Sequence, residues 1–312
     1  VTAVVPREFA LIGQHFRPLA LPAGLDLADD AAVLAPPHGK ELVIAADAMV
    51  AGVHFLPNDP PDLVARKLLR VNLSDLAAMG AAPLGYLLTI SAPVGTDDGW
   101  FATFAAGLAE DQGQFGIGLL GGDTTATPGP LCLSLTIIGT VAPGCAVRRV
   151  GAQPGDGIWV TGTIGDGALG LQALTGKRDD PTGFLARRYH LPEPRLGFPV
   201  HLAAAAMDVS DGLLQDLGHL CRAGGVGAEI LAAKVPLSDA ARAADQRALC
   251  LTGGDDYELL MAVRPKHEVA LLRAASLPVT RIGHFTSGAE VVVLNENGQH
   301  LDFATVGWSH FR

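Results

Sequence analysis

Most of the polar residues that could do chemistry fall in six short motifs: Asp29-Asp30, Asp47, Asn72-x-Ser74-Asp75, Gly121-Gly122-Asp123-Thr124, Asp208-x-Ser210-Asp211-Gly212 and Gly253-Gly254-Asp255-Asp256. Any one of them alone reads as a turn or a helix cap, because Asp and Ser favour both. Asp75 resists that reading. It stands at i+4 from Val71 and i+7 from Leu68, on the stripe of a predicted helix that should face the core. A carboxylate there is costly unless a cation or hydrogen-bond donors meet it. Asn72 lies one turn earlier on nearly the same face, and the competing reading is a buried cap to a neighbouring loop. Asp208 ends an apolar segment, and Ser210-Asp211 opens the next helix; a cap by Ser210 explains one polar residue but not an acid on each side of it. Gly121-Gly122 would let backbone approach a phosphate closely, with Asp123 suited to a metal beside it. Carboxylates gathered in one cleft repel each other and repel phosphate, and divalent cations answer both problems. Oxygen ligands without a His/Cys set favour Mg²⁺ over zinc.

The elements that must place these residues alternate in type. Strands are predicted at Leu42–Ala46, Leu84–Ser91, Gly116–Leu120 and Leu131–Val141, with helices at Asp62–Ala78 and Trp100–Gln114. After a Gly/Pro/Arg-rich junction at Pro143–Gly157, strands are predicted at Ile158–Thr161, Met207–Val209 and Glu258–Val263. Helices are predicted over Gly167–Leu174, Arg195–Ala205, Leu213–Ala223 and Lys266–Ala275, and a terminal hairpin near Glu290–Leu301. This gives two α/β domains, 1–143 and 144–312. The string Gly165-Asp-Gly167-Ala-Leu-Gly170 imitates a dinucleotide fingerprint, but no strand ending in an acid follows it, so the glycines read as a tight strand-to-helix turn. The sequence has no G-x-x-x-x-G-K-[ST], H-E-x-x-H or G-x-S-x-G.

Composition narrows the class. Asp outnumbers Glu by 23 to 9, and Lys occurs five times against 17 Arg, for a formal charge of −10. Such a surface argues against nucleic acid and anionic membrane as partners. The four cysteines stand singly, so neither structural zinc nor a disulfide framework is expected. Val1–Ala20 is broken by charged residues and proline and does not read as a signal peptide. No apolar run approaches a membrane span. A cytoplasmic enzyme is expected.

Taken in order, the motifs resemble the thiamine-monophosphate kinase family of the aminoimidazole-ribonucleotide-synthetase-like superfamily. The residues that carry the likeness are Asp29-Asp30-Ala31-Ala32, Val50-Ala-Gly-Val-His-Phe55, Val71-Asn-Leu-Ser-Asp-Leu-Ala-Ala-Met-Gly80, Gly121-Gly-Asp-Thr124, Asp208-Val-Ser-Asp-Gly-Leu213, Gly253-Gly-Asp-Asp-Tyr-Glu-Leu259 and Gly307-Trp308. The resemblance implies ATP-dependent phosphorylation of thiamine monophosphate, with several Mg²⁺ ions. It implies metal contacts at Asp30, Asp47, Asp75, Asp123, Asp208 and Asp211, and ATP contacts at Gly122, Asp123, Arg149 and Ser210. Contacts to thiamine monophosphate would come from His54, Asp255 and Trp308. It also implies a two-domain fold with mixed sheets and a homodimer whose N-terminal sheets form a shared barrel. Three positions depart from the family pattern: Asp26-Leu-Ala28 where Gly-x-Gly is usual, Ala45-Ala46 where hydroxyls usually precede Asp47, and Asp255 in place of Glu. An aminoimidazole ribonucleotide synthetase, or a nucleotide-binding protein without turnover, are the alternative readings.

Overall fold

The computed structural model describes residues 7–310; the first six residues of the Val1–Ala20 stretch lie outside them. The chain divides into two compact units. One is built from the chain up to Leu76 and from Ala81–Gly144, the other from Ala77–Gly80 and from Cys145 onward.

The first unit contains α1 (Arg7–Leu11), β1 (Glu41–Val50), α2 (Pro61–Ala78, whose last two residues count with the second unit), β2 (Ala82–Pro93), α3 (Asp98–Phe115), β3 (Leu119–Thr127) and β4 (Cys132–Val141). The sheet order is β1-β4-β2-β3, antiparallel except for the β2–β3 pair. Strand alternation divides its faces. Val43 and Met49 of β1, Tyr86, Leu88 and Ile90 of β2, and Leu133, Leu135 and Ile137 of β4 are buried. On the other face Leu42, Ile44 and Leu87 stay exposed. Gly139 of β4 lets α2 approach, because a Cβ there would lie 2.9 Å from the Leu76 side chain. Helix α3 starts at an Asp97 cap that accepts from the Trp100 N–H and ends at left-handed Gly116. Arg70 grips Asp111 with two hydrogen bonds (2.6 and 2.9 Å), pinning α2 to α3 through a buried pair.

The second unit contains β5 (Gly157–Thr161), α4 (Asp166–Leu174), α5 (Phe184–His190), β6 (Ala205–Asp208), α6 (Leu213–Gly224), β7 (Gly227–Leu231), α7 (Asp239–Ala244), α8 (Arg247–Thr252), β8 (Leu259–Val263), α9 (Pro265–Ala274), β9 (Val279–Thr286) and β10 (Val291–Leu294). The sheet order is β10-β7-β9-β5-β8-β6, with only β10–β7 parallel. Both faces are covered. Ile158, Val160, Met207, Leu260 and Ala262 join a core with Leu213, Leu217 and Leu220 of α6. Trp159, Ala206, Leu259 and Met261 join a second cluster with Phe198 and Leu271.

Three expectations need correction. The helix expected at Arg195–Ala205 is only a single turn at Val200–Leu202, because Pro199 interrupts the stretch and supplies no N–H; the helix nearby is α5. The strand expected at Gly116–Leu120 begins at Leu119, since Gly116 is the left-handed cap of α3. It also continues to Thr127, so Gly121-Gly122-Asp123-Thr124 lies inside an edge strand and not in a loop after it. The terminal hairpin near Glu290–Leu301 does occur, as a short antiparallel return from β10 through Leu294–His300, and β10 also pairs in parallel with β7. Finally, the strands β7 and β9 were not expected from the sequence at all. The expected glycine turn does occur: Gly165 caps α4 with φ 94°, and a Cβ at Gly170 would lie 2.3 Å from the Leu185 carbonyl oxygen.

Candidate functional site

Each unit gathers its own set of acidic residues. In the first, β1 carries Asp47 half-buried on the face it shares with Val43, Ala45 and Met49. Ala46 points to the opposite, open face with Ile44 and Ala48. Asn72, wholly buried on α2, accepts from the Asp47 N–H (3.2 Å) and donates to the Leu68 carbonyl (2.9 Å). One side chain thus ties the strand to the helix, and Asp75 follows Asn72 by one turn, half-buried. The stripe argument is only partly right: Asn72 and Ser74 are buried completely, and Asp75 is the more open of the set.

Asp123 pairs with Thr89 across the parallel β2–β3 ladder. Gly122 is required there by close approach, since a Cβ would lie 1.7 Å from the Leu88 carbonyl oxygen. Asp30 sits in the irregular segment after Leu27. With Asp29, Gly122 and Asp123 it lines a cavity of about 590 Å³ whose floor includes Leu88, Ile90 and Thr136. His54 closes a tight turn after β1. Its Nδ1 accepts from the Val50 N–H (3.0 Å), its own N–H returns to the Val50 carbonyl (3.0 Å), and buried Lys67 donates to its carbonyl (3.1 Å). The bond at Nδ1 leaves the neutral ring's proton on Nε2.

In the second unit, the turn from β6 into α6 organises the rest. Asp208, buried, ends β6, and Ser210 and Asp211 follow, half-buried. The N–H groups of Ser210, Asp211 and Gly212 all donate to Oδ2 of Asp216 at 3.1 Å. The 253–258 segment is laced to this turn by main-chain bonds. Asp255 N–H donates to the Ser210 carbonyl (2.9 Å), Tyr257 N–H to Val209 (2.8 Å), and Val209 N–H to Glu258 (2.8 Å). Asp255 and Tyr257 take left-handed backbone (φ 69° and 53°), which such residues adopt only when their surroundings hold them. Buried Asp256 anchors the segment by accepting from Gly165 N–H (2.7 Å) and Gly167 N–H (3.1 Å). Glu258, also buried, accepts from Thr161 (2.6 Å), Arg188 (3.1 Å) and Arg195 (2.7 Å). Trp308, 47% exposed, donates its N–H to the Asp211 carbonyl (2.9 Å). Gln215 donates both to the Asp211 carboxylate (2.9 Å) and to the Trp308 carbonyl (2.6 Å).

The electrostatics of this turn are those of several acids held close together. Burial, and then the charges of Asp208 and Asp211, push the Asp216 carboxyl up to about 8. His219 is held below the ordinary imidazole range by burial and by the charges of Arg222 and Arg149. Among the described residues, Asp211, Asp216 and His219 bring potential ligand atoms within 4.8 Å of one another.

The expected residues therefore assemble in two groups. Asp30, Gly122 and Asp123 share a cleft of the first unit; Asp47 and Asp75 stand on β1 and α2, which Asn72 ties together, and His54 is bonded to Val50 at the end of β1. Arg149, Asp208, Ser210, Asp211, Asp255 and Trp308 surround one turn of the second. Sequence reasoning passed over Asp216 and Gln215, and named Asp256 in its motif without giving it a role. Asp216 had a readable signal, since it lies between Leu213, Leu217 and Leu220 on the apolar stripe of α6, the pattern that singled out Asp75.

Comparison with known proteins agrees with this arrangement. Residues 28–141 match the AIR synthase related protein N-terminal domain, and 153–295 match the corresponding C-terminal domain. The thiamine-monophosphate kinase of Caulobacter vibrioides is 46% identical over 99% of this chain and 92% of its own length. The crystal structure of thiamine-monophosphate kinase from Stenotrophomonas maltophilia superposes with a TM-score of 0.80 at 40% identity, covering 88% of this chain and 91% of that one. AaThiL complexed with AMPPCP and TMP superposes with a TM-score of 0.79 at 30% identity, over 91% of each chain. Family models that span both units, and a near-full-length relative, place the assignment beyond fold alone: the chain belongs to the AIR synthase related proteins and, among them, to the thiamine-monophosphate kinase family.

Proposed function

We propose that the chain transfers the γ-phosphoryl group of ATP to thiamine monophosphate, giving thiamine diphosphate and ADP. The observation that carries this reading is the lacing of the 208–212 turn to Asp255 and Trp308. Residues matched to nucleotide, cation and acceptor contacts share one short hydrogen-bonded framework. A terminal phosphate oxygen of the acceptor attacks the γ-phosphorus, the bond from that phosphorus to the β,γ-bridging oxygen breaks, and ADP leaves. A phosphate monoester is already largely anionic at neutral pH, so the chain need supply no covalent nucleophile. Its task is positioning and charge neutralisation.

The donor set fits Mg²⁺. It is oxygen-rich, and after burial it is the charges of Asp208 and Asp211 that raise the Asp216 carboxyl, a repulsion that a cation would relieve. Asp30, Asp47, Asp75, Asp123, Asp208 and Asp211 would hold the ions. Bound there, Mg²⁺ would neutralise the phosphates and the charge spread over the transferred group. Gly122 offers backbone that phosphate can approach, Arg149 a planar fork, and Ser210 a hydroxyl donor. Trp308 presents an exposed ring to a cationic thiazolium, and His54 presents an Nε2–H donor. Asp255 stands one methylene short of the usual Glu, on a backbone fixed from both sides.

The open face of the first unit's sheet, with Leu42 42% exposed, Ile44 61% and Leu87 40%, supports a homodimer through that face. Among the described residues no helix is long and apolar enough to cross a membrane, and the cysteines are free; a cytoplasmic location accords with both.

The test is Mg²⁺-dependent ADP release with thiamine monophosphate, thiamine and formylglycinamidine ribonucleotide offered separately. Release with thiamine monophosphate alone is expected. Release with the ribonucleotide would mark a synthetase, and nucleotide binding without turnover would mark a binding protein.

A further inference from the structure

Helix α6 begins without a side-chain cap at Gly212. Just before it, three successive N–H groups, those of Ser210, Asp211 and Gly212, converge at 3.1 Å on one oxygen of Asp216, a side chain only 1% exposed. Consecutive amides aimed at one point form a nest of the kind that takes a phosphate oxygen, and a helix start adds its dipole. In this chain the occupant is its own carboxyl group, returned from the first turn of the helix. The turn has no room to rearrange around it. A Cβ at Gly212 (φ 127°) would lie 2.6 Å from the Thr252 carbonyl oxygen, and one at Gly254 would lie 2.2 Å from that of Ser210.

We propose that Asp216 is a positioning residue. Its carboxyl oxygen fills the nest, which keeps nucleotide phosphate off the main-chain amides and sets Ser210 and Asp211 in the orientation from which their side chains engage nucleotide and cation. This inference rests on the reading of Ser210 and Asp211 given above and extends it to a residue outside the set matched to ligand contacts. What Asp216 contributes is an oxygen at one place, not charge in general.

Two variants separate those contributions. Asp216→Asn keeps an acceptor oxygen at that place and cannot ionise. Asp216→Glu keeps an ionisable carboxyl and displaces the oxygen by one methylene. The readout is calorimetric binding of Mg·AMPPCP without acceptor, so a failure to phosphorylate thiamine monophosphate would overturn the proposed function and leave this test intact. Asp216→Asn should bind within about threefold of the unsubstituted chain, and Asp216→Glu should bind about tenfold more weakly or worse, the scale of hydrogen bonds to a charged group. In a third variant, Asp216→Ala, the emptied nest should accept sulfate, which would then compete with the nucleotide as it does not in the unsubstituted chain. Asn binding as weakly as Glu, Glu binding as well as the unsubstituted chain, or no binding by the unsubstituted chain itself would each overturn the proposal. Should the Ala variant not fold, the Asn–Glu pair decides alone.

Discussion

Asn72 has no solvent exposure and spends both ends of its amide on the backbone, one on Asp47 and one on Leu68. Its work is to hold a strand carboxylate in register with the helix that bears Asp75. Asp75, half-buried and one turn on, is a proposed magnesium ligand whose charge no neutral amide can supply. Asp75→Asn should therefore fold and yet lose about a hundredfold or more in kcat, the scale of several kcal/mol of charge stabilisation; circular dichroism with steady-state rates checks this, and near-normal kcat would contradict it. Trp308 differs in kind. Its tethers to Asp211 and Gln215 use main-chain atoms of Trp308, and its ring meets His310 edge-on. Trp308→Ala should keep the tether, raise KM for thiamine monophosphate about two- to thirtyfold as a lost cation–π contact would, and leave KM for ATP unchanged. An equal rise for both substrates would make the ring mere packing. At this scale the sequence was informative wherever an acid interrupted an apolar stripe, as at Asp75. The same signal at Asp216 went unread because Ser210 and Asp211 already accounted for the motif. The anchoring by Asp256 was not legible, because its partners Gly165 and Gly167 lie some ninety residues away.

The β6–α6 turn is the element on which charge and geometry meet most directly. The Asp216 carboxyl, pushed up to about 8, titrates near 4 in an unfolded chain. Between those values the folded state binds the additional proton, so metal-free stability should fall as pH rises through about 4 to 8 and flatten above. Cations held by Asp208 and Asp211 would cancel the repulsion, so Mg²⁺ should raise Tm more at about pH 8 than at about pH 5. Thermal melts in chelator and in Mg²⁺ across that window check the sign, and a Tm gain that is equal at both ends would contradict it. Element type was readable where periodicity was clean, as in α2, α3 and β4. It failed where polarity or proline masked it: β3 continues through Gly121–Thr127 although that run is neither apolar nor alternating, and Pro199 broke an otherwise helical stretch. Strand β10 could be sensed, but not its partner, because the five residues of β7, Gly-Ala-Glu-Ile-Leu, are too short and mixed to show an apolar run or alternation. The alternation of β1 also separates two neighbouring departures from the family pattern. Ala45 shares the face of Asp47, whereas Ala46 lies on the open face.

At the scale of the molecule, two units with separate sheets each present acidic residues, and the first leaves one sheet face open. Ile44, paired with Ile138 across β1–β4 and 61% exposed, stands on that face. Ile44→Glu should therefore convert a dimer to a species of the 32.2 kDa chain mass by light scattering, with secondary structure intact. A wild-type chain that already runs at that mass would contradict the proposed pairing. The two-domain architecture was legible from the Gly/Pro-rich junction and the interleaved elements. The family was legible from the order of the motifs, whereas packing between strands distant in sequence was not, because pairing leaves no local trace. The claim on which the whole account depends is transfer of the terminal phosphoryl group from ATP to an acceptor phosphate. It is tested most directly by incubating the chain with Mg²⁺, thiamine monophosphate and ATP labelled in the γ-phosphate, then separating the products. The account predicts the label in thiamine diphosphate, mole for mole with ADP. Label appearing as inorganic phosphate, with no thiamine diphosphate formed, would contradict it.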